Sequence, residues 1–365
     1  MKKALIAMSG GVDSSVAALL TQKMGIACVG CTMRLFENGS VGVKDKTCCS
    51  ADDVFDAKSV CHSLGIPHYV FNFSDDFGEK VIKKFTCAYL EGRTPNPCID
   101  CNRYMKFDKL FARAALLGCD TVVTGHYARV EEENGRFFLK KGLDPNKDQS
   151  YVLYHLTDDQ LAHVLFPLGG LPKAEVRAIA EANGFINSHK PDSQDICFVP
   201  DGDYAKVVET VSGVKSVPGN FVTPEGKVLG THKGVIHYTI GQRKGLGVAS
   251  TAPLYVVDIR PETNEVVLSH GEGLFSTTFK AADLNLNGGE DFSSPKKGKV
   301  KIRYRHPEQP ATVLRTGEDE LTVVFDTPQR AVTRGQSAVI YDGDKVLGGG
   351  EIREIVSDGE SRGER

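Results

Sequence analysis

The chain has 365 residues, a formal net charge of −3 and ten cysteines. That length admits two or three domains with a sizeable core, and the near-neutral charge excludes a globally basic nucleic-acid binder, so any such surface must be local. Lys2 and Lys3 precede an apolar run of only five residues, too short for a signal peptide or a membrane span. The expectation is a cytoplasmic protein with no membrane partner, whose cysteines serve as core residues, metal ligands or reactive thiols rather than as a disulfide framework.

In chain order, Ala4 to Met8 reads as a buried strand and Val16 to Leu20 as an apolar helical turn. The turn between them, Ser9-Gly-Gly-Val-Asp-Ser-Ser15, holds two glycines, three hydroxyls and one carboxylate. Gly10 and Gly11 lack a Cβ, so their amides can approach a ligand closely. The following helix offers unpaired N–H groups and a positive dipole end, which suits a phosphate. Asp13 would repel a bare phosphate, so its presence suggests a bridging Mg²⁺. The lysine of a Walker P-loop and the dinucleotide glycine spacing are both missing. Ser-Gly-Gly-x-Asp-Ser after an N-terminal strand resembles the PP-loop of the ATP pyrophosphatases, which split ATP between the α and β phosphates and attach AMP to a substrate oxygen.

Strand and helix signals then alternate to about residue 125. Ile26 to Met33 predicts a strand, Ala51 to Leu64 a helix with Ser50 as N-cap, and His68 to Phe73 a third strand. Asp76 to Leu90 predicts one amphipathic helix, Met105 to Leu117 another, and Thr121 to Thr124 a further strand. Such alternation implies a parallel sheet wrapped by helices, with ligands at the carboxyl ends of the strands. Met33 and Gly125-His126 fall at such ends, although plain core packing is the competing reading for Met33. Asn134-Gly135 marks a hairpin between Ala128 to Glu132 and Arg136 to Lys140. A polar loop, Asp144 to Tyr151, leads to helices at Asp158 to Leu165 and Lys173 to Asn183, and Ser188 to Phe198 is a second polar loop. After one more helix, Tyr204 to Val211, Gly- and Pro-rich segments carry short strands. From about 275 repeated strands predict a small antiparallel barrel or sandwich.

Cys98-Ile-Asp-Cys101 follows Thr94-Pro-Asn-Pro97, where two prolines predict an extended loop. A nearby helix start, Arg103 and Lys106 would lower the thiol pKa values. Cys28 and Cys31 lie three apart in a strand and point to opposite faces; they read as core, as do Cys61, Cys87 and Cys119. Cys48-Cys49 has no assignment. Asp192, Ser193 and Asp195 make the surroundings of Cys197 too polar for plain core. In Pro295 to Arg305, period two would place Lys297, Lys299, Lys301, Arg303 and Arg305 on one face of a strand, a row of cations suited to a phosphate backbone. A protective edge strand is the bland alternative. His232, Lys233, Arg243 and Lys244 form a second basic group, and Tyr304 and Phe198 are candidates for base stacking or for the core.

Ser9-Gly-Gly-Val-Asp-Ser14, Thr32-Met-Arg34, Gly65-Ile-Pro-His68, Asn96-Pro-x-x-x-Cys101-Asn102, Thr124-Gly-His-Tyr-Ala128, Lys147-Asp-Gln-Ser-Tyr151, Asp192-Ser-Gln-x-Ile-Cys197-Phe198 and Tyr238-Thr-Ile-Gly-Gln-Arg-Lys-Gly-Leu246 occur in this order. The succession resembles the bacterial tRNA-specific 2-thiouridylases of the MnmA type. The resemblance implies an α/β protein with an N-terminal parallel-sheet PP-loop (adenine nucleotide alpha hydrolase-like) catalytic domain over 1–200. A small central mixed, tRNA-binding domain over 201–274 and a C-terminal antiparallel β-barrel over 275–356 would follow, with 357–365 a disordered tail. It implies ATP-dependent adenylation of the C2 oxygen of wobble uridine 34 in tRNAs for Glu, Lys and Gln, then replacement of that oxygen by sulfur.

Carried over by position, Cys101 matches the nucleophile and Cys197 the persulfide-bearing cysteine. Ala7, Met8, Ser9, Gly10, Gly11, Val12, Asp13, Ser14, Met33 and Gly125 match ATP contacts. Asn96, Pro97 and Cys98 match the loop at the target base; His126, Lys147, Asp148, Gln149, Arg303, Tyr304 and Gln336 match contacts to the tRNA, an anticodon stem-loop. Cys98 stands where many members carry Asp. The branch with Cys there implies that Cys98, Cys101 and Cys197 ligate a [4Fe–4S] cluster with one open iron; the alternative is a persulfide on Cys197 with no metal. The sulfur donor would be a cysteine desulfurase or a relay protein. Competing readings are another PP-loop ligase, or a non-catalytic iron–sulfur or zinc protein that binds RNA.

Overall fold

The computed structural model describes residues 2–41, 51–192, 196–287 and 289–356. The expectations for Cys48, Cys49, Ser50, Ser193, Asp195 and the tail 357–365 lie outside the described residues. The chain forms two compact units, one of Met1–Ile82, Pro97–Gly202 and Gly343–Leu347, the other of Lys83–Asn96, Asp203–Asp342 and Gly348–Arg365.

The first unit is built on β1 (Lys3–Ala7), β2 (Ala27–Arg34), β3 (His68–Asn72), β4 (Thr121–Val123) and, after the hairpin β5 (Ala128–Glu133) and β6 (Arg136–Lys141), β7 (Val164–Leu165). The sheet runs β3-β2-β1-β4-β7 with every pairing parallel. Ala4, Leu5 and Ile6 are fully buried, as the unbroken apolar run of a central parallel strand demands. Helix α1 (Val12–Lys23) lays Val16, Ala17 and Leu19 into the core, and α2 (Ala51–Ser63) adds Val60 and Cys61. The helix Lys173–Ala182 adds Val176 and Ala180. Packing of this kind, rather than helix propensity, supplies most of their stability. The β5–β6 turn has Asn134 and Gly135 both at positive φ, +52° and +78°, the conformation an Asn-Gly hairpin provides.

Two helices differ from the sequence pattern. The run from Ser74 to Leu90 is an α-helical turn Ser74–Phe77, a π-helical stretch Gly78–Ile82 and an α-helix Lys83–Leu90. The second begins at Pro97, is π-helical from Cys101–Lys109 and returns to α over Leu110–Leu116. Pro97 opens it because a first-turn proline loses no hydrogen bond. The helix thus begins at Pro97, ahead of the start near Asn102 that the sequence suggests, and Cys98 and Cys101 sit within its turns. The helix Asp158–Ala162 starts with a Thr157–Gln160 capping box and stops short of Leu165, because Val164 and Leu165 pair with Val122 and Val123.

The second unit carries a mixed sheet of β8 (Gly219–Val222), β9 (Val228–His232), β10 (Tyr255–Arg260) and β11 (Glu265–Ser269) in the order β10-β11-β8-β9. After it come β12 (Phe275–Leu286), β13 (Lys296–Lys301), β14 (Gln309–Gly317), β15 (Glu320–Arg330), β16 (Ser337–Asp342) and β17 (Lys345–Val356). Their order β12-β15-β14-β13-β16-β17 closes when β17 pairs with β12, so the barrel, not the sandwich, is what forms. Alternation is visible on β15, where Leu321, Val323 and Phe325 face inward while Val324 is exposed.

Candidate nucleotide site and the two thiols

The turn after β1 is braced from within. Ser14 and Ser15 hydroxyls donate to the Gly11 carbonyl at 2.9 and 3.1 Å, and Ser14 Oγ accepts from the Ser9 amide at 3.2 Å. The hydroxyl of Thr32 donates to the Met8 carbonyl at 2.8 Å. Gly10 has φ +75°, and a Cβ there would lie 2.3 Å from the Asp53 carbonyl oxygen, so glycine is required on both counts. Gly125, just beyond β4, packs so that a Cβ would meet the Asp13 carbonyl carbon at 2.8 Å and the Ser14 amide nitrogen at 2.9 Å. The two expected nucleotide-contacting segments are thus brought together, with Met33 half-buried on β2.

Several side chains that sequence reasoning missed surround this turn. Asn187 donates to the Gly10 carbonyl and to Ser15 Oγ, both at 2.9 Å, while its own Oδ1 is buried without a hydrogen-bond partner. Lys190 reaches the Gly10 carbonyl at 3.3 Å and pairs with Asp53 and Asp56 at 2.6 and 2.7 Å. Asp13 Oδ1 accepts from the Tyr127 hydroxyl at 2.8 Å and from Lys173 Nζ at 2.6 Å. Lys173 also lies 2.8 Å from Asp192 Oδ1, where Arg177 arrives at 2.7 Å, and Lys147 holds Asp192 Oδ2 at 2.7 Å. Burial pushes the Asp192 carboxyl up, but the bonds from Lys147 and Lys173 outweigh it and bring the pKa down to about 2. Burial and the neighbouring Asp13 carboxylate raise Tyr127, which keeps its proton for that bond. Signals for these residues existed: Tyr127 lies inside the Thr124 to Ala128 motif, and Lys173 opens a helix straight after Pro172.

Among the expected tRNA contacts of this unit, Lys147 is committed to Asp192. Asp148 accepts from the Gly142 and Ser150 amides at 3.0 and 3.1 Å, and Gln149 Oε1 from the Tyr127 amide at 3.0 Å. His126 is buried, with Nδ1 2.6 Å from Thr124 Oγ1 and Nε2 3.4 Å from Lys106 Nζ. Burial first, and Lys106 second, push its pKa well down, so it is neutral.

Cys98 is exposed, Cys101 and Cys197 are half-buried, and none of the three is in a disulfide. Burial drives Cys101 up to about 11 against the lowering by Lys106, with Cys98 and Asp100 adding to the rise. The low thiol pKa expected from nearby cations is therefore corrected: desolvation wins. Among the described residues no three His, Cys, Asp or Glu side chains gather as a metal-holding group. The three thiols do not fit a cluster in this arrangement, and no step is derived through one. Phe198, beside Cys197, is 1% exposed and packs on Phe36 and Phe77, with ring centroids 6.3 and 5.8 Å away; it is core, not a stacking platform. Cys28, Cys31, Cys61 and Cys119 are buried as expected, whereas Cys87 is exposed.

In the second unit, β13 ends at Lys301, so Arg303 and Arg305 leave the expected row of cations. Arg303 instead turns to donate to the Arg330 and Ala331 carbonyls at 3.4 and 3.2 Å. Lys301 lies over the Tyr304 ring at 5.7 Å. His232 is 2% exposed, which removes it from the second basic group and leaves Lys233, Arg243 and Lys244 exposed. Gln336 donates to the Thr94 carbonyl at 2.7 Å, and the Thr94 amide donates to the Arg334 carbonyl at 2.9 Å. The stretch leading to Asn96 is thereby tied to the one carrying Gln336.

Three family models match the chain, described as a tRNA methyl transferase HUP domain over residues 2–201, a tRNA methyl transferase PRC-barrel domain over 206–270 and an aminomethyltransferase beta-barrel domain over 276–352. A tRNA-specific 2-thiouridylase MnmA of Clostridioides difficile is 49% identical, over 97% of this chain and 99% of that one. The proteins of the same name from Carboxydothermus hydrogenoformans and Lachnoclostridium phytofermentans are 50% and 48% identical, over 97% and 96% of this chain and 98% and 99% of theirs. With a parallel-sheet phosphate-turn unit ahead of a closed barrel, and about half of all positions shared from end to end, the chain belongs to the tRNA-specific 2-thiouridylase family.

Proposed function

We propose that this chain is a cytoplasmic tRNA-specific 2-thiouridylase. It uses ATP to adenylate the C2 oxygen of uridine 34 in tRNAs for Glu, Lys and Gln, then replaces that oxygen with sulfur, releasing pyrophosphate and AMP. One observation carries the reading: near-half identity to relatives of that name along almost the whole of both chains. The braced turn after β1 supports the adenylating half. Its backbone amides and the start of α1 suit phosphates, and the Asp13 carboxylate would hold a Mg²⁺ ion, which would supply counter-charge to the phosphates.

A carbonyl oxygen is a poor leaving group. When C2–O bonds to the α-phosphorus and pyrophosphate departs, that oxygen becomes part of AMP, which leaves readily. In the reading we favour, the terminal sulfur of a Cys197 persulfide, loaded by a cysteine desulfurase or a relay protein, bonds to C2 as AMP leaves. The Cys101 thiolate then bonds to the Cys197 sulfur. The old S–S bond breaks, its electrons complete C2=S, and a Cys101–Cys197 disulfide remains for an external thiol to reduce. Cys101 would enter as a thiol and lose its proton on the way, which its raised pKa requires. Asn96, Pro97 and Cys98 would sit at the target base; His126, Lys147, Asp148, Gln149, Arg303, Tyr304 and Gln336 would contact or position the tRNA.

Incubation with tRNA, ATP, Mg²⁺ and a sulfur source, followed by nucleoside analysis, should yield 2-thiouridine together with AMP. No 2-thiouridine under anaerobic and aerobic conditions alike would overturn the reading. Anaerobic purification with iron and acid-labile sulfide analysis separates the two sulfur chemistries: an active, iron-free enzyme supports the persulfide, and activity that tracks a stoichiometric cluster replaces it.

A further inference from the structure

We propose that Lys173 is the cation that takes the pyrophosphate end of ATP, leaving Asp13 and Asp192 as the nucleotide enters the turn. The inference rests on the ATP-dependent reading above and names the residue that binds what that reaction releases first.

The turn Ser9 to Ser15 contains no basic residue, yet the β and γ phosphates of ATP call for counter-charge beyond backbone amides and one metal ion. Lys173 Nζ already lies against the turn, 2.6 Å from Asp13 Oδ1, with its side chain only 11% exposed. It is the first residue of the helix Lys173–Ala182, so a phosphate drawn to it would also meet the positive end of that helix.

What makes Lys173 able to move is redundancy. Asp192 keeps Arg177 on Oδ1 and Lys147 on Oδ2 when Lys173 departs. Asp13 keeps the Tyr127 hydroxyl and is freed to take a divalent cation. Neither carboxylate is left buried and unpaired, the outcome that makes breaking such a pair costly. Lys190 has no such freedom. Moving it would break its contacts to Asp53, Asp56 and the Gly10 carbonyl together. Lys173 thus moves to the outer phosphates, and the vacated Asp13 carboxylate would be the residue available to hold a Mg²⁺ ion.

The test is binding of a non-hydrolysable α,β-methylene ATP and of AMP, each with Mg²⁺ and without tRNA, by titration calorimetry on the full chain. Lys173→Gln should weaken the ATP analogue by roughly tenfold or more, as loss of a charge-assisted hydrogen bond does, and leave AMP nearly unchanged. Lys173→Arg should restore most of the difference. An unchanged ATP-to-AMP affinity ratio in folded Lys173→Gln overturns the proposal. Should that variant not fold, acetylation of wild-type Lys173, read by mass spectrometry, decides: protection by the ATP analogue but not by AMP supports the assignment, and equal labelling overturns it. Wild-type protein that binds neither nucleotide would overturn the ATP-dependent reading as well, so the two failures are distinguishable.

Discussion

The nucleotide turn and the thiols are held in opposite ways within one unit. Around the turn, every charged group has a partner: Asp13 with Lys173 and Tyr127, Asp192 with three cations, Lys190 with two carboxylates. Cys98, Cys101 and Cys197 gather no metal-holding group among the described residues, and burial holds Cys101 protonated. The difference teaches that the turn is electrostatically preorganised in advance, whereas on the proposed reading the sulfur step would be assembled when substrate is present.

The largest expected effect separates the two regions. Cys101→Ser and Cys197→Ser should each lower 2-thiouridine formation at least about a thousandfold, as loss of a covalent participant does, while ATP-analogue affinity stays at the wild-type value. Weakened nucleotide binding in either variant would show that the thiols and the turn are coupled. Next comes the turn. Gly10→Ala sets a Cβ 2.3 Å from the Asp53 carbonyl oxygen at φ +75° and should cost about 3 kcal/mol or more, seen as a steep fall in Tm together with lost ATP binding. A variant as stable as wild type would mean that α2 yields easily.

A smaller effect is expected at Asp192. Its pKa is brought from 3.8 to about 2 on folding, so the stability it adds is fully present above pH 4 and is lost as pH falls toward 2, about 2 kcal/mol in all. Asp192→Asn should lower Tm at pH 7, and the gap between the two melting curves should close on acidification through that window; a pH-independent gap would remove the ion-pair account. The smallest effect lies outside both regions. Lys299→Glu, at an exposed site on β13, should weaken tRNA binding a few-fold and lower its salt slope by about one. Arg303→Glu should do the same while also disturbing the Arg330 and Ala331 carbonyls that Arg303 holds. Filter binding across salt concentrations would read both, and unchanged slopes would remove the basic strand from the interface.

Local pattern made the phosphate turn legible, because strand, glycine pair and helix start fall within a dozen consecutive residues. Lys173 was invisible for the converse reason: it meets Asp13 across 160 residues of sequence, and only packing brings them together. The helices holding Cys98 and Cys101 read as a loop followed by a helix because π-helical turns have no propensity signature. The pKa of Cys101 was misjudged since Arg103 and Lys106 are visible in the sequence while desolvation is not. His232 and Cys87 exchanged their expected places, one going inside and the other out, because single residues on short elements carry little periodicity.

The ring of Phe198, wedged between Phe36 and Phe77, acts as a pivot pin for its neighbour. Consecutive α-carbons are tethered at about 3.8 Å, so the backbone of Cys197 is anchored on one side to a residue fixed in the core. If Cys197 is the sulfur carrier proposed above, a base that accepts its sulfur would have to be brought to a thiol whose neighbour is locked in the core.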